Sequence, residues 1–115
     1  MSVRKKSNGS KTGCAVEITL SVIGGTWKPI ILFHLLDGKR RFNELSRLVG
    51  DISPRMLTVQ LRELERDGLV ARHVHPVVPP HVDYELTTFG RSVEPVLITM
   101  LDWGEAFAVR RAAAG

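Results

Sequence analysis

The sequence predicts a mainly α-helical domain that carries a small β-hairpin. Within residues 53–64, leucines recur at i, i+4 and i+7, which places Leu57, Leu61 and Leu64 on one helix face for burial. Residues 69–75 and 81–87 alternate in the manner of strands, and a proline-rich connection joins them. Short helices followed directly by a hairpin are typical of a winged helix-turn-helix domain, so we expect this fold class.

Two helices precede this unit. The first is predicted over residues 14–23 and ends at the glycine pair 24–25. The second is predicted over residues 27–36, with Thr26 as its N-cap and Pro29 in its first turn, where a missing N–H costs nothing. Because it is apolar nearly all round, we expect it to be the buried centre of the domain, with His34 as a satisfied core histidine.

The helix-turn-helix unit follows a short strand. A third helix of about two turns is predicted over residues 42–49, and Gly50 ends it. Ser53 is predicted to cap the fourth helix, Pro54 occupies its first position, and Gly68 terminates it. These start and stop residues agree with the leucine spacing, so both helices and the turn between them are predicted together.

The hairpin and one long helix complete the predicted order, which is α, α, short β, α, α, β, β, α. The long helix spans about residues 89–111, capped by Thr87 or Thr88. We therefore predict a disordered basic arm over residues 1–12, a single winged-helix domain over residues 13–111, and a flexible tail over residues 112–115.

Composition narrows the function. No apolar run approaches the roughly 18 residues of a membrane span, and no apolar stretch follows the basic N-terminus as in a signal peptide, so we expect a cytoplasmic protein with no membrane partner. Since the chain has one cysteine, Cys14, an intrachain disulfide and a Cys-rich zinc site are excluded. There is no phosphate loop or paired-carboxylate motif, so we expect neither an enzyme nor a cofactor.

The net charge of +4 favours an acidic partner, and its distribution matters more than its size. Four of the sixteen basic residues lie in the arm, and the other twelve are balanced by twelve acids. The basic residues nevertheless outnumber the acids around the helix-turn-helix, where they are Lys39, Arg40, Arg41, Arg47, Arg55, Arg62 and Arg66. Such local asymmetry is expected of a DNA-binding face.

The fourth helix is the candidate recognition helix. Arg55, Thr58, Val59 and Arg62 fall on the side opposite the leucines, where they can reach base edges and phosphates in a major groove. Backbone N–H groups at Ser53 and beyond can hold a phosphate. Further candidate phosphate contacts, with ordinary solubility as the alternative, are Arg40, Arg41 and Arg72.

Short motifs in a fixed order carry a family resemblance. They are CAVE (14–17), GGTW (24–27), RFNEL (41–45), ISPRMLT (52–58), LRELE (61–65), GLV (68–70), VPP (78–80), VDYELT (82–87) and Gly90. The chain thereby resembles HxlR-type winged-helix transcriptional regulators of the broader MarR-like group, over roughly residues 14–107. The resemblance implies a homodimer that binds double-stranded DNA at a pseudo-palindromic operator and regulates nearby genes.

The resemblance also implies a sensor role for Cys14, because relatives that respond to electrophiles or oxidants use a cysteine at the matching position. A thiol at a helix N-terminus is favoured in its reactive thiolate form. The alternative is a small apolar side chain under the dimer interface. This chain departs from the family pattern at Ala15 and Thr26 and at two wing positions, where His75 and His81 stand in place of the usual Tyr and Arg. The resemblance makes His81 the wing's candidate contact to a phosphate or the minor groove.

Apolar residues on the first and last helices are the candidate dimer interface. They are Val16, Leu20, Val93, Val96, Leu97, Met100, Trp103 and Phe107. Alternatively, residues of the last helix could line a small-ligand pocket between that helix and the first two. The rival function is a winged helix that binds proteins without specific DNA binding. His73, His75 and His81 cluster on the hairpin, and a metal site there is an alternative. Because we expect no carboxylate or cysteine to support them, we predict that they are solvated and hold no metal.

Overall fold

The computed structural model describes residues 13–115 and has the predicted winged helix-turn-helix architecture. Its elements are α1 (Ala15–Ile23), α2 (Trp27–Leu35), β1 (Arg40–Arg41), α3 (Phe42–Val49), α4 (Pro54–Arg66), β2 (Val70–His75), β3 (His81–Leu86), α5 (Thr88–Arg91) and α6 (Glu94–Ala114). The predicted basic arm, residues 1–12, lies outside the described residues.

The three strands form one antiparallel sheet in the order β1-β3-β2. The hairpin register pairs Val70 with Leu86 at its base and His75 with His81 near its tip. Because side chains alternate across a strand, Val70, Tyr84 and Leu86 face the core, and the histidines face away from it. This division of the two faces agrees with the alternation in the sequence.

The core lies where α2, α4 and the base of the hairpin meet. The fully buried side chains include Ile31, Leu32 and Leu35 of α2 and all three predicted leucines of α4. Burying each such side chain stabilises the fold by about 1.5–3 kcal/mol. The leucine face of α4 thus packs against the core, and the opposite face of α4 is left exposed to solvent.

α2 is not buried all round, in contrast to the prediction. Ile30 and Phe33 are each more than a third exposed, because only one side of α2 faces α4. His34 is half-buried rather than a core histidine, and its ring meets that of Phe33 edge-on. Burial lowers the pKa of His34, and the nearby Arg40 guanidinium lowers this pKa further, against a smaller opposing effect of Asp37.

One buried charge ties α2 to α4. Lys28 is 8% exposed, and its Nζ lies 2.7 Å from Glu63 Oε1. The hydrogen bond and charge of Lys28 lower the pKa of Glu63 below its ordinary value. A buried ammonium without a partner is costly, so this pair fixes the rotation of α4 about its axis.

The turn between α3 and α4 depends on a glycine and an apolar anchor. Gly50 has a φ of +96°, a left-handed conformation that costs glycine little and other residues more. Ile52, two residues later, is buried in the core. The chain is therefore held where it reverses direction, just before Ser53 begins α4.

The predicted last helix is divided in two. Thr87 caps α5 by accepting a hydrogen bond from the N–H of Gly90 at 2.8 Å, and the helix is interrupted at residues 92–93. α6 then begins with Pro95 in its first turn, where proline is tolerated, and it continues past Gly104. α6 ends at Ala114 rather than at Arg111, so most of the segment predicted as a tail is helical. This extension consists of alanines, and alanine is the strongest helix former.

None of the helices in residues 13–115 is by itself long and apolar enough to cross a membrane. α1 and α2 satisfy the length and composition of a span only when taken together, and a bend of 75° separates them.

Candidate nucleic-acid interface

The outer face of α4 is exposed and basic. Arg55 and Arg62 are exposed, and Val59 between them is 41% exposed. Arg66 shares this face, since 55, 59, 62 and 66 repeat the helical spacing i, i+4, i+7 and i+11. The predicted site does not include Arg66. The same helical periodicity that places the leucines on the buried face could have placed Arg66 on the outer face with Arg55 and Arg62.

The start of α4 is fixed by Ser53 and Thr58. The Ser53 hydroxyl accepts a hydrogen bond from the N–H of Met56 at 3.1 Å, which confirms the predicted cap. The Thr58 hydroxyl donates to the carbonyl of Pro54 at 2.9 Å. Thr58 is half-buried, so what it can offer to DNA is its methyl group and the acceptor lone pairs of its oxygen.

A groove lies between α4 and the hairpin, and it brings residues from both elements together. Its lining residues are Phe42, Thr58, Leu61, Arg62, Glu65, Arg72, Val82 and Tyr84. Arg62 of the recognition helix and Arg72 of the wing therefore border the same groove, as expected for a helix in the major groove and a wing beside it. Glu65 also lines the groove, so its carboxylate partly offsets the positive charge of Arg62 and Arg72 there.

Arg40 does not have the free guanidinium that the prediction required of a phosphate contact. Its Nε donates to the carbonyl of His34 at 3.2 Å, and its NH1 donates to Glu44 Oε2 at 3.0 Å. NH2 lies 3.6 Å from Asp37 Oδ2. Arg40 therefore links the end of α2 to the first turn of α3, and its hydrogen bond lowers the pKa of Glu44.

Arg41 retains an exposed side chain. It is 64% exposed, and its Nε is 3.9 Å from Asp83 Oδ1, at the limit of an ion pair. Its backbone N–H faces Glu44 Oε1 at 3.4 Å, so the residue also begins α3. Of the two neighbouring arginines, Arg41 is the one that can reach a phosphate.

His81 lies on the other face of the hairpin from Arg72. Its ring stacks on that of His75, with the two centroids 4.5 Å apart and the planes inclined by 28°. Two carboxylates face these histidines: His75 Nε2 is 2.8 Å from Asp83 Oδ2, and His73 Nε2 is 2.8 Å from Glu85 Oε2. The expectation that the wing histidines lack carboxylate support is therefore wrong, because strand pairing brings in partners that are distant in sequence.

The candidate dimer residues divide between the surface and the core. α6 carries the exposed side chains of Val96, Met100, Trp103 and Phe107, and α1 carries those of Val16 and Leu20. The prediction that Leu97 lies at the dimer interface is wrong. Leu97 is 3% exposed and packs in the core of its own chain, so it has almost no surface to bury against a partner. Val93 likewise packs partly against that core.

Two apolar hollows flank α6. One lies between α2 and α6 and is lined by Pro29, Ile30, Phe33, Leu97, Met100 and Leu101. The other lies between α1 and α6 and includes Ile18, Val22, Val93 and Val96. Cys14 is exposed at the start of α1. The second hollow is therefore bordered by α1, which Cys14 precedes, and by α6, the two helices that carry the exposed apolar side chains.

The chain is similar to known regulators over most of its length. A family model described as HxlR-like helix-turn-helix matches residues 22–112. The HTH-type transcriptional regulator YdeP of Bacillus subtilis (strain 168) is 59% identical over 98 residues, which cover 85% of this chain and 77% of YdeP.

Solved structures agree with this similarity. The redox regulator HypR in its oxidized form is 57% identical, with a TM-score of 0.78, over 81% of this chain and 96% of that one. The reduced form of the transcriptional regulator YodB from B. subtilis is 36% identical, with a TM-score of 0.70, over 82% of this chain and 93% of that one.

Proposed function

The chain belongs to the HxlR-like helix-turn-helix family of DNA-binding transcriptional regulators, and on that premise we propose that it acts in the cytoplasm as a homodimer. Two copies of α4 would then enter successive major grooves about 34 Å apart and bind a pseudo-palindromic operator. In this arrangement Arg55 and Arg62 contact bases or phosphates, and Arg41 and Arg72 contact phosphates beside them.

The observation that carries the homodimer is the exposure of α6. Of its 21 residues, all of them described, only Leu97 is buried. Trp103 is 67% exposed, and its ring stacks on Phe107 with centroids 5.3 Å apart, while the Arg111 guanidinium lies over the Phe107 ring. A helix with so much exposed aromatic and aliphatic surface needs a partner to bury it, and contiguous patches of this kind mark protein interfaces.

We expect sedimentation velocity at micromolar concentration to give a dimer. Trp103→Glu combined with Phe107→Glu should yield a monomer, since two carboxylates would have to be buried in the interface. The matched control is Val77→Glu combined with Val78→Glu, which adds the same two carboxylates at positions that are 54% and 99% exposed near the wing tip and should remain dimeric. A monomeric parent chain would overturn the homodimer.

We further propose that Cys14 senses oxidants or small electrophiles. What supports it is the similarity to HypR and YodB, whose structures include an oxidized form and a diamide-treated form, together with the exposed position of Cys14 beside α1. Two Cys14 thiols from different subunits can form a disulfide and pass two electrons and two protons to an oxidant, or one thiol can add an electrophile. Either change would shift the dimer between DNA-competent and incompetent geometries.

The sensor proposal is tested by Cys14→Ser. Diamide or a quinone should change DNA binding of the parent chain by severalfold, and the variant should not respond although it binds DNA equally well before treatment. A non-reducing gel distinguishes the disulfide, which doubles the covalent mass, from an adduct. An equal response of both proteins would exclude Cys14 as the sensor.

A further inference from the structure

The outward face of the wing carries a cluster of metal-binding groups that DNA recognition does not explain. β2 contributes His75, and β3 contributes His81 and Asp83. One ligand atom from each of the three lies within 4.8 Å of the others, and all three residues are half-buried. We propose that His75, His81 and Asp83 bind a divalent transition-metal ion of the Zn²⁺ class. This site does not depend on the homodimer or on the sensor.

The hairpin register sets the geometry. His75 and His81 are directly opposite each other, and Asp83 is two residues from His81 and therefore on the same face. Directly paired residues have Cβ atoms about 4.5–5.5 Å apart, a spacing that allows both imidazoles to reach one ion. The backbone thus holds the three ligands together before any ion binds.

Small side-chain rotations complete the site. Zinc bonds to nitrogen and carboxylate oxygen are about 2.0–2.2 Å long, so ligand atoms on a tetrahedral ion lie roughly 3.3 Å apart. His75 Nε2 and Asp83 Oδ2, now 2.8 Å apart, must separate slightly as the ion replaces the proton between them. The widest pair is at most 4.8 Å apart, so its two ligand atoms must approach by at most about 1.5 Å, which side-chain rotation can supply.

The ligand set selects the class of metal. Imidazole nitrogens suit Zn²⁺, Cu²⁺, Ni²⁺ and Co²⁺, whereas Ca²⁺ and Mg²⁺ require mainly oxygen ligands. Two histidines and one carboxylate also leave a position for water or another ligand, as in zinc sites that are not closed. A bound divalent ion would add two positive charges to the face of the wing where His75 pairs with Asp83 and His73 pairs with Glu85.

Neighbouring groups orient the carboxylate and supply a control. Arg41 Nε lies 3.9 Å from Asp83 Oδ1, the oxygen that does not face His75, so the arginine can hold the carboxylate while Oδ2 binds the ion. His73 lies on the same face but pairs with Glu85 instead. His73 therefore tests whether a wing histidine alone is enough for binding.

The test uses metal alone and the full chain. Co²⁺ titration followed by visible absorption, and Zn²⁺ titration followed by calorimetry, should show one ion per chain with a tetrahedral cobalt spectrum. His75→Gln, His81→Gln and Asp83→Asn should each lower the affinity by at least the 10–100-fold typical of losing an outer-sphere partner. His73→Gln and Cys14→Ser should bind as the parent does.

The outcomes separate clearly. Unchanged binding in His81→Gln, loss of binding in Cys14→Ser, or failure of the parent chain to saturate below millimolar Zn²⁺ would each overturn the wing site. The three ligand side chains are half-buried, and each replacement is polar and close in size to the original. Circular dichroism and melting temperature, measured without metal for every variant and for the parent, then distinguish a loss of metal binding from unfolding. Failure of the chain to dimerise or bind an operator would leave these readouts unaffected.

Discussion

Arg55→Ala and Arg62→Ala should each remove a large part of the sequence-specific affinity for the operator, while the chain remains folded and dimeric. Both side chains are exposed on the outer face of α4 and make no contribution to its buried leucine face. A bidentate arginine–guanine contact is worth roughly 1–3 kcal/mol, and a homodimer loses it in both half-sites. The expected loss is therefore about 2–6 kcal/mol, against a specificity of typically about 4–10 kcal/mol.

The measurement requires a duplex selected from a random DNA pool by the parent chain, followed by titrations at several salt concentrations. Replacing an arginine that binds a base should lower the preference for the selected sequence. Replacing one that binds a phosphate should weaken binding to all sequences alike and reduce the salt slope by about 0.9 for each phosphate that is no longer neutralised. This distinction assigns each arginine to base or phosphate.

Arg110→Ala is the control for these variants. It removes the same charge from an exposed position on α6, a helix that makes no DNA contact in the proposed arrangement. Because Arg110 borders Trp103 and Phe107, sedimentation must first show that this variant is a dimer, and its sequence preference should then be unchanged. If Arg55→Ala and Arg62→Ala together retain the affinity and preference of the parent, the outer face of α4 does not recognise DNA.

Local sequence patterns predict most of the fold because the packing follows them. The leucines of α4, the Ser53 cap and the alternation of the hairpin depend on neighbours within a few residues, and the structure has each as expected. The division between α5 and α6 is not predicted by such patterns. Pro95 could either kink one continuous helix or occupy the first turn of a second helix, and the sequence alone does not distinguish these two cases. In the structure Pro95 lies in the first turn of α6.

The side-chain partners are harder to predict, because they come from other elements. Arg40 resembles a phosphate contact by its charge. Its partners Glu44, Asp37 and the carbonyl of His34 are near in sequence, but they reach its guanidinium because the turn between α2 and α3 folds back on β1. Likewise, Asp83 is eight residues from His75 in sequence and 2.8 Å away in space. Charge and residue type identify the right region, and strand register decides what each side chain touches there.

The same limit applies to apolar residues. Spacing places Leu97 and Met100 on one stripe of α6, and both are expected at the dimer interface. The structure buries Leu97 in its own core and leaves Met100 46% exposed. A helical stripe identifies which residues need burial, and it does not tell a contact within one chain from a contact with a second copy.

Gly90→Ala should destabilise the fold by about 3 kcal/mol or more, the upper range for overpacking. A Cβ at Gly90 would overlap the carbonyl group of Leu69, which is backbone and cannot rotate away. That carbonyl accepts a hydrogen bond from the N–H of Thr87 at 3.0 Å. The Thr87 hydroxyl donates to the carbonyl of Gly68 and accepts from the N–H of Gly90. Making room would therefore break the junction between α4, the hairpin and α5.

Gly104→Ala is the matched control, because it adds the same methyl group to a helical glycine whose added Cβ would have open space around it, with no atom outside the local helix backbone within 4 Å. Alanine is favoured over glycine within a helix by about 0.5–1 kcal/mol, so this variant should be at least as stable as the parent. Urea unfolding must be compared at one protein concentration, since dimerisation makes apparent stability depend on it. If Gly90→Ala stays within about 1 kcal/mol of the parent, the close approach of α5 to Leu69 does not constrain the fold, because the cost of overpacking would then be absent.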